Sequence, residues 1–419
     1  MPNIAPVPVP PSKGTSMRSS PTPTGDQHPA GDHRPDPGLS EVTIPRSLAD
    51  SNAADFQALA EVLAEVEAEA VGSREQQFTA AELLPSWQDP QLPKRAVLAR
   101  VDGGVVGCAV YEVTAEEAPE CWASVSVRSG HRGRGIGSQL LGAILDIARA
   151  EGHLVVQGYL LSTALPADTG DGAASGSRLP SPTGFGSVPA DAAGTRFALF
   201  HGFVLEQVER VSRLALPLAP GTLEAVLAGA AAKAGDHYRV LLWEGATPER
   251  WLADVAEMFT RMSTEYPSAN LQVTEDVWDP TRVRLHDDRE AASPRRSLVA
   301  AALHVPSGHL VGYTGLSVPP DTLRAVSQED TIVLAGHRGH RLGMLLKAAN
   351  LQQLAERSPQ HPSVITYNAE ENRPMLAVNE QLGFAAIGYE GLWKRLVVPG
   401  SGSGSGEMLK LSRKTFSGS

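Results

Sequence analysis

Two basic, glycine-rich segments carry the residues best suited to hold a charged ligand. They are GHRGRGIG at 130–137 and GHRGHRLG at 336–343. Each follows a strand-like run and precedes an apolar run with helical spacing. The N-terminus of a helix leaves backbone N–H groups unpaired, and glycines let the backbone approach a ligand, so such a turn favours phosphate. The alternative is an ordinary tight connection with solvated arginines.

The glycine spacing separates these turns from two other phosphate-binding loops. Neither turn has the Gly-x-x-x-x-Gly-Lys-Ser/Thr pattern of a P-loop, nor the dinucleotide fingerprint with an acidic residue about 20 positions later. The first turn instead contains Arg-x-x-Gly-x-Gly at Arg132, Gly135 and Gly137. The second turn has Arg338 and Gly343 but places Arg341 where the first has a glycine.

Composition indicates a globular protein of two domains. The chain has 419 residues, of which 42% are hydrophobic and 20% charged, and a net charge of −11. The negative charge argues against a nucleic-acid partner, and no apolar run reaches the roughly 18 residues of a membrane span. Only two cysteines are present, which fits a reducing compartment. We therefore expect a cytoplasmic protein with neither nucleic-acid nor membrane partners.

The order of predicted elements repeats along the chain. Each half has a strand, a helix, a hairpin, a strand that ends at the glycine turn, a helix, a strand, a short helix ending in Gly-Phe, and a last strand. The sequence thus predicts an α/β fold (α+β, mixed sheet) used twice, each copy a mostly antiparallel sheet flanked by helices. We place the two domains at 41–217 and 237–398, with a linker at 218–236.

The two ends of the chain differ in composition from the rest. Residues 1–40 are rich in Pro, Ser and Gly, which predicts disorder. Residues 399–419 combine a regular Gly-Ser linker, typical of an engineered one, with a short basic tail. This tail is either a remnant of cloning or a peptide tethered as a ligand or substrate.

The Arg-x-x-Gly-x-Gly turn, the element order and the terminal Gly-Phe together resemble the GNAT superfamily of N-acyltransferases, in a tandem arrangement. The resemblance covers both predicted domains. It implies that acetyl-CoA or another acyl-CoA is bound, with its pyrophosphate on the turn, and that a direct transfer to an amine follows. The implied donor-binding residues of the two turns are Arg132, Gly133, Arg134, Gly135, Ile136 and Gly137 in the first copy, and Arg338, Gly339, His340, Arg341, Leu342 and Gly343 in the second.

The resemblance also places donor contacts outside the turns, and it favours the second copy as the catalytic one. Asn368 and Asn372 occupy the places from which the family contacts the pantetheine amides, although both also suit a turn and a helix N-cap. The backbone N–H that holds the oxyanion lies near Val333 and Leu334. In the first copy the corresponding positions are Val127 and Arg128, and Val125 on the same strand is a further implied donor-binding residue.

The positions at which the family has its proton-transfer residues hold other residue types in this sequence. The usual base position, eleven residues before the first turn arginine, is Ser327 in the second copy and Cys121 in the first. Nearby carboxylates are Glu329 and Asp330, or Glu120 in the first copy, with solvated strand-edge charges as the alternative. The family's general-acid tyrosine is replaced by Asn379, and by Ala198 in the first copy, which leaves Tyr367 or water to protonate the thiolate.

The acceptor is predicted to be a primary amine of a small metabolite or a peptide. Glu265 follows the first helix of the second copy and could pair with a cationic amine, and Tyr313 could line the same cleft. No His, Cys or carboxylate set has metal-ligand spacing, so no metal is expected. The alternatives are a non-catalytic acyl-CoA-binding module and an enzyme that acetylates an amine antibiotic. A monomer and a homodimer are both compatible with the sequence.

Overall fold

The computed structural model describes residues 37–113, 118–163 and 177–397. Most of the segment predicted to be disordered (1–40) and the predicted linker and tail (399–419) lie outside these residues. The last residues of that first segment are not disordered: Gly38–Glu41 form a strand. This strand pairs with the next one in the chain, with Gly38 opposite Arg100, so its backbone groups are satisfied.

The first half supplies four helices and eight strands within the described ranges. The helices are α1 (Ala53–Val71), α2 (Ala80–Trp87), α3 (Ile136–Ala150) and α4 (Ala193–Phe200). The strands are β1 (Gly38–Glu41), β2 (Lys94–Val101), β3 (Gly104–Glu112), β4 (Glu120–Val127), β5 (Val155–Thr163), β6 (Arg178–Pro180), β7 (Ser187–Pro189) and β8 (Val204–Ala215).

The second half repeats this order after a helix that connects the halves. The helices are α5 (Thr222–Ala234), α6 (Leu252–Glu265), α7 (Pro280–Ala292), α8 (Leu342–Arg357) and α9 (Arg373–Leu382). The strands are β9 (Tyr238–Glu244), β10 (Arg296–His304), β11 (His309–Val318), β12 (Val326–Val333), β13 (Ser363–Ala369) and β14 (Ala385–Leu396).

Twelve of these strands form one sheet, and helices cover both of its faces. The strand order is β1-β2-β3-β4-β5-β14-β8-β13-β12-β11-β10-β9. Two neighbouring pairs, β4–β5 and β12–β13, are parallel, and the others are antiparallel. Successive residues of β2 face opposite layers, since Val97 packs in the core with α3 whereas Leu98 packs with α1 and α2. The predicted fold class, a mixed, mostly antiparallel sheet flanked by helices, is confirmed.

The last strand of each half lies between strands of the other half. β14 pairs with β5 from Gly388–Thr163 to Leu396–Val155. β8 pairs with β13 from Ser363–Ala215 to Ala369–Glu209, and also with β14. The domain limits that we predicted therefore separate two segments of the chain, but strands from both segments interleave in one continuous sheet.

The segment predicted as a linker, 218–236, is mostly helical. Its helix α5 packs on α8, and Ala230 and Ala234 are buried in the same apolar core as Leu346. The segment between β5 and α4 also contains structure, the β6–β7 hairpin, from which Val188 enters the core of the first half. Both segments bury small apolar side chains, which composition alone does not reveal.

A buried ion pair fastens α2 of the first half to the second half. Glu82 accepts hydrogen bonds from Arg324 at 2.7 and 2.6 Å, and Arg295 contacts the same carboxylate at 3.4 Å. Burial raises the pKa of Glu82, but the hydrogen bonds and charge of Arg324, together with hydrogen bonds from Thr79, outweigh this effect and leave the pKa below its ordinary value. The carboxylate is therefore ionised, and removing either partner would leave a buried charge uncompensated.

Within the described ranges, none of the helices is long and apolar enough to cross a membrane. The two cysteines, Cys108 and Cys121, are buried free thiols.

Candidate active site

A cleft opens between the glycine turn of the second half and the last helix of that half. Its volume is about 290 Å³, and it lies between the N-terminus of α8 and α9. The residues lining it are Val333, Arg338, Gly339, Arg341, Leu342, Gly343, Met344, Pro374, Ala377, Val378 and Gln381. Six of them are among the donor-binding residues expected from the sequence.

Backbone N–H groups are available at the mouth of this cleft. The one-turn 3₁₀ helix Ala335–His337 leads into the turn, Gly339 has a φ of +84°, and α8 begins without a side-chain cap. The first turn has the same shape, since Gly133 and Gly135 have φ of +74° and +85° and α3 also lacks a side-chain cap. An uncapped N-terminus presents its orphan donors to an anion.

Arg341 occupies a backbone conformation that favours glycine. Its φ is +56°, at the position where the first turn has Gly135. We expect Arg341→Gly to raise the free energy of unfolding by about 0.5–1 kcal/mol, because relief of left-handed strain exceeds the added chain entropy. Urea denaturation measures this change. Arg341→Ala removes the same charge but keeps a side chain at this positive φ, so the backbone strain remains. Equal stabilisation by the two variants would therefore contradict the strain argument.

In the first half, an aromatic ring fills the place that corresponds to the cleft. A Cβ added to Gly137 would lie 3.2 Å from Cε2 of Phe197 on α4. Beside it, Ser138 Oγ lies 3.0 Å from His201 Nε2, a contact that ties α3 to α4. At the equivalent glycine of the second half, Gly343, no atom lies within 4 Å of an added Cβ. The residue matching Phe197, six positions before the phenylalanine of Gly-Phe, is Val378.

The first arginine of each turn is a structural clamp. Arg132 Nε donates to the carbonyl of Val127 at 2.7 Å, and Arg338 Nε donates to that of Val333 at 3.0 Å. The rest of each guanidinium pairs with a carboxylate at the end of the half's first long helix, Glu69 and Glu265 respectively. Glu265 is therefore engaged by the turn in this structure, and its pairing with the acceptor amine stays a prediction. Arg134 of the first turn is exposed.

One of the two N–H groups expected to hold the oxyanion is already bonded. Leu334 N–H donates to the carbonyl of Val311 at 2.9 Å, and Arg128 N–H likewise donates to Val106 at 3.0 Å. Since N–H directions alternate along a strand, the N–H of Val333 points away from β11, towards β13. β12 and β13 pair only at Val326 and Ser327 before they separate, so this N–H faces the gap between them.

Asn368 and Asn379 are hydrogen-bonded to each other, and Asn372 lies between them, at the start of the helix that carries Asn379. Asn379, 1% exposed, donates through Nδ2 to Asn368 Oδ1 at 2.6 Å. Asn372 caps α9, accepting from the Met375 N–H at 3.4 Å. The N-cap that we weighed as an alternative is thus present at Asn372, and Asn379 replaces the family's tyrosine with a buried amide. Asn379 Oδ1 has no partner among the described residues and remains the free acceptor of this pair.

Glu329, Asp330 and Tyr313 come together on the face opposite α8. Two β12 residues oppose one on β11 between the Thr314–Thr331 and Leu316–Gln328 pairs, and this bulge contains Glu329 and Asp330. A Cβ on Gly315 would lie 3.5 Å from Tyr313 Oη and 3.6 Å from Glu329 Cβ.

The surroundings of Glu329 suit proton transfer. Both bulge carboxylates are solvent-accessible, although protein atoms surround them closely. Desolvation, with a smaller effect of Asp330, raises the pKa of Glu329 to about 7, and desolvation also raises the pKa of Asp330. A carboxylate with a pKa near neutrality can accept a proton at physiological pH.

Tyr367 lies in a different environment from these groups. Its hydroxyl donates to Gln76 Oε1 of the first half at 2.5 Å, and burial, Glu390 and Glu67 raise its pKa. The sequence did not reveal the acidic group around Tyr367. In it, Glu209 on β8 and Glu390 on β14 face each other, on the two strands that each lie between strands of the other half. Burial raises the pKa of both carboxyls. No local pattern places these two strands side by side.

Within the described ranges, no three His, Cys, Asp or Glu side chains are arranged to hold a metal ion. Glu120, the first-half carboxylate considered as a base, is 1% exposed and accepts from Thr274 N and Oγ1 at 3.0 and 3.1 Å. It therefore anchors a loop of the second half instead of facing a cleft.

Comparisons with known proteins agree with this architecture. Residues 59–160 match the sequence model of the acetyltransferase (GNAT) family. The structure is similar to that of a tandem GNAT protein from the clavulanic acid biosynthesis pathway, with a TM-score of 0.63 and 24% identity, over 86% of this chain and 99% of that one. It is also similar to a GCN5-related N-acetyltransferase from Sphaerobacter thermophilus, with a TM-score of 0.54 and 19% identity, over 83% and 94% of the two chains. No curated protein matches the sequence.

The two kinds of similarity address different parts of the chain. The family match identifies a GNAT domain in the first half, and the structural similarities extend the same fold over the second. Residues 59–160 are therefore a domain of the GNAT acetyltransferase family, and the chain as a whole has the fold of a tandem GNAT protein.

Proposed function

We propose that the second half is the catalytic centre of an acyl-CoA-dependent N-acyltransferase. The observation that carries this proposal is the open cleft at the second turn, set against the phenylalanine that fills its counterpart in the first half. The proposed acceptor is a primary amine of a small metabolite or a peptide, and the proposed first half is a structural partner. The GNAT family match supports acyl transfer as the type of reaction.

The residues of the cleft fit the donor. The N–H groups from Gly339 to Gly343 would hold the pyrophosphate, and Arg341 would add positive charge beside it. The apolar wall formed by Val333, Ala377 and Val378 suits the pantetheine arm. The donor supplies a thioester, whose carbonyl is the electrophile.

The carboxylates on the other face of the gap fit the acceptor. An amine is protonated at neutral pH, so a base must take a proton before or during its attack on the carbonyl carbon. Glu329 takes that proton, and the N–H of Val333 donates to the carbonyl oxygen as negative charge develops. The new C–N bond replaces the C–S bond, and the thiolate leaves with the electron pair. The nitrogen loses its second proton as the amide forms, and this proton passes through water to the thiolate, because Tyr367 lies among the groups of the first half.

The proposal is tested by placing a negative charge in the cleft. We expect Gly343→Glu to weaken acetyl-CoA binding at least about tenfold, because the new carboxylate repels the phosphates. Isothermal titration calorimetry measures this affinity and the stoichiometry, expected to be one donor per chain. Gly142→Glu is the matched control, since Gly142 also has open space around it but lies on α3 of the first half. Loss of binding in the control alone would move the donor site to the first half.

A further inference from the structure

A cluster of three histidines and a tyrosine lies beside the second glycine turn, outside the cleft. The imidazoles of His304 and His337 have centroids 4.7 Å apart, and the Tyr238 ring is 5.4 Å from His304 and 5.2 Å from His340. Tyr238 Oη lies 3.0 Å from His337 Nδ1, and His304 Nδ1 lies 2.9 Å from Ser307 Oγ. We call these four residues the histidine cluster.

The cluster joins three elements around the turn. Tyr238 and His304 stand opposite each other on the edge strand β9 and its neighbour β10, and His337 and His340 belong to the turn itself. His340 is exposed, and the other three side chains are half-buried. The cluster therefore lies on one side of the turn, and the cleft that Arg338 and Arg341 line lies on another.

The charges around the cluster favour an anion. The turn that carries His337 and His340 also carries Arg338, which is paired with Glu265, and Arg341. On β11, His309 stands opposite His304 and is paired with Asp254. Among the described residues, no carboxylate is hydrogen-bonded to any of the three imidazoles of the cluster. Burial, followed by the nearness of His304 and His340, lowers the pKa of His337. The free protein therefore disfavours the protonated form of His337, and a negative group brought close to it would favour that form.

We propose that the histidine cluster binds a phosphate monoester of the acyl donor, and that it does so by taking up a proton. This inference rests on the proposed function of the second half. Coenzyme A carries a pyrophosphate and, separately, a 3′-phosphate on its ribose. A pyrophosphate on the backbone of the turn and a monoester on the adjacent wall account for both groups. The structure has no equivalent in the first turn, where Arg134 stands in place of His340.

The sign of the pH dependence follows from linkage. A bound phosphate raises the pKa of an imidazole, so the complex holds more protons than the free protein and affinity rises as pH falls. The phosphate's own second pKa is about 6, which limits the useful range to pH values above about 6.5. One proton taken up changes affinity by at most tenfold per pH unit.

The experiment compares acetyl-CoA with acetyl-3′-dephospho-CoA by calorimetry at pH 6.5 and 8.0, using the full chain. For the unaltered protein, we expect acetyl-CoA to bind about tenfold more tightly at pH 6.5 than at pH 8.0. The dephospho compound should bind more weakly than acetyl-CoA, and its affinity should differ by about twofold or less between the two pH values. His304→Gln and His340→Gln should each reduce the acetyl-CoA change to about twofold. Free inorganic phosphate should compete only weakly.

His309→Gln is the control, because His309 stands opposite His304 on β11 but is exposed and has its imidazole paired with Asp254 instead of with the cluster. It should retain the tenfold change. Equal affinity and equal pH dependence for the two donors would overturn the inference while leaving the proposed function intact. Binding of neither donor would overturn both.

Discussion

Replacing Val378 by phenylalanine is expected to weaken acyl-CoA binding by about a hundredfold or more, which corresponds to about 2.7 kcal/mol. Val378 lines the open cleft on α9, and the matching side chain of the first half, Phe197, lies against the glycine of its turn. A ring at position 378 would lie against Gly343 in the same way, and the pantetheine arm would have to displace it from well-packed surroundings. Calorimetry with acetyl-CoA measures the loss.

The reciprocal variant, Phe197→Val, tests the same argument in the opposite direction. The first turn has glycine at both left-handed positions, so removing the ring should expose a competent backbone. We expect the stoichiometry to rise from one donor per chain towards two. Thermal unfolding of both variants controls for lost structure. Unchanged affinity in Val378→Phe would show that the donor does not use this cleft.

A second large effect is expected from Glu329→Gln. General-base catalysis contributes roughly 10²–10⁴ in rate, and the amide cannot accept the proton, so kcat should fall by about a hundredfold or more while the KM for the donor changes little. Steady-state kinetics with a panel of primary amines and a thiol reagent measures the release of coenzyme A. Asp330→Asn serves as the neighbouring control and should cost less than tenfold.

The pH dependence distinguishes loss of a base from loss of structure. Because the pKa of Glu329 is raised to about 7, its carboxylate form predominates above that pH, and kcat/KM should rise through pH 7 in the unaltered protein. Glu329→Gln should remove this rise. Desolvation opposes ionisation in the folded state, so the unfolded chain binds fewer protons between the two pKa values and ionisation lowers stability there. The variant should therefore be at least as stable at pH 8, and a destabilised variant would attribute the lost activity to misfolding.

The sequence predicts local features better than it predicts pairing. The two turns and the helices that follow them were recognisable because glycine, basic charge and apolar spacing are local signals. The roles of Glu265 and Asn372 depended on neighbours: Glu265 meets Arg338 across more than seventy residues, and Asn372 caps its own helix. The ring that closes the first cleft was not predictable either, since a phenylalanine on an amphipathic helix fits a core as well as a groove.

Strand exchange was the largest feature that the pattern did not indicate. β8 and β14 each have the composition of an ordinary terminal strand, and period-two alternation specifies a buried face without specifying a partner. The acidic pair Glu209–Glu390 exists only because these strands are adjacent. Like charges directly opposite each other destabilise a sheet, so alternation alone would argue against this register.

The exchanged strands also determine when each part of the molecule can be completed during synthesis. β5 emerges from the ribosome more than two hundred residues before β14, the strand that covers its edge. Until then, that edge presents unpaired N–H and C=O groups, which invite association with other nascent chains. Contacts this distant in sequence also make folding slow, because the closure entropy of the long intervening chain is lost before the pairing compensates for it. The first half is therefore the last to be finished, although it is the first to be made.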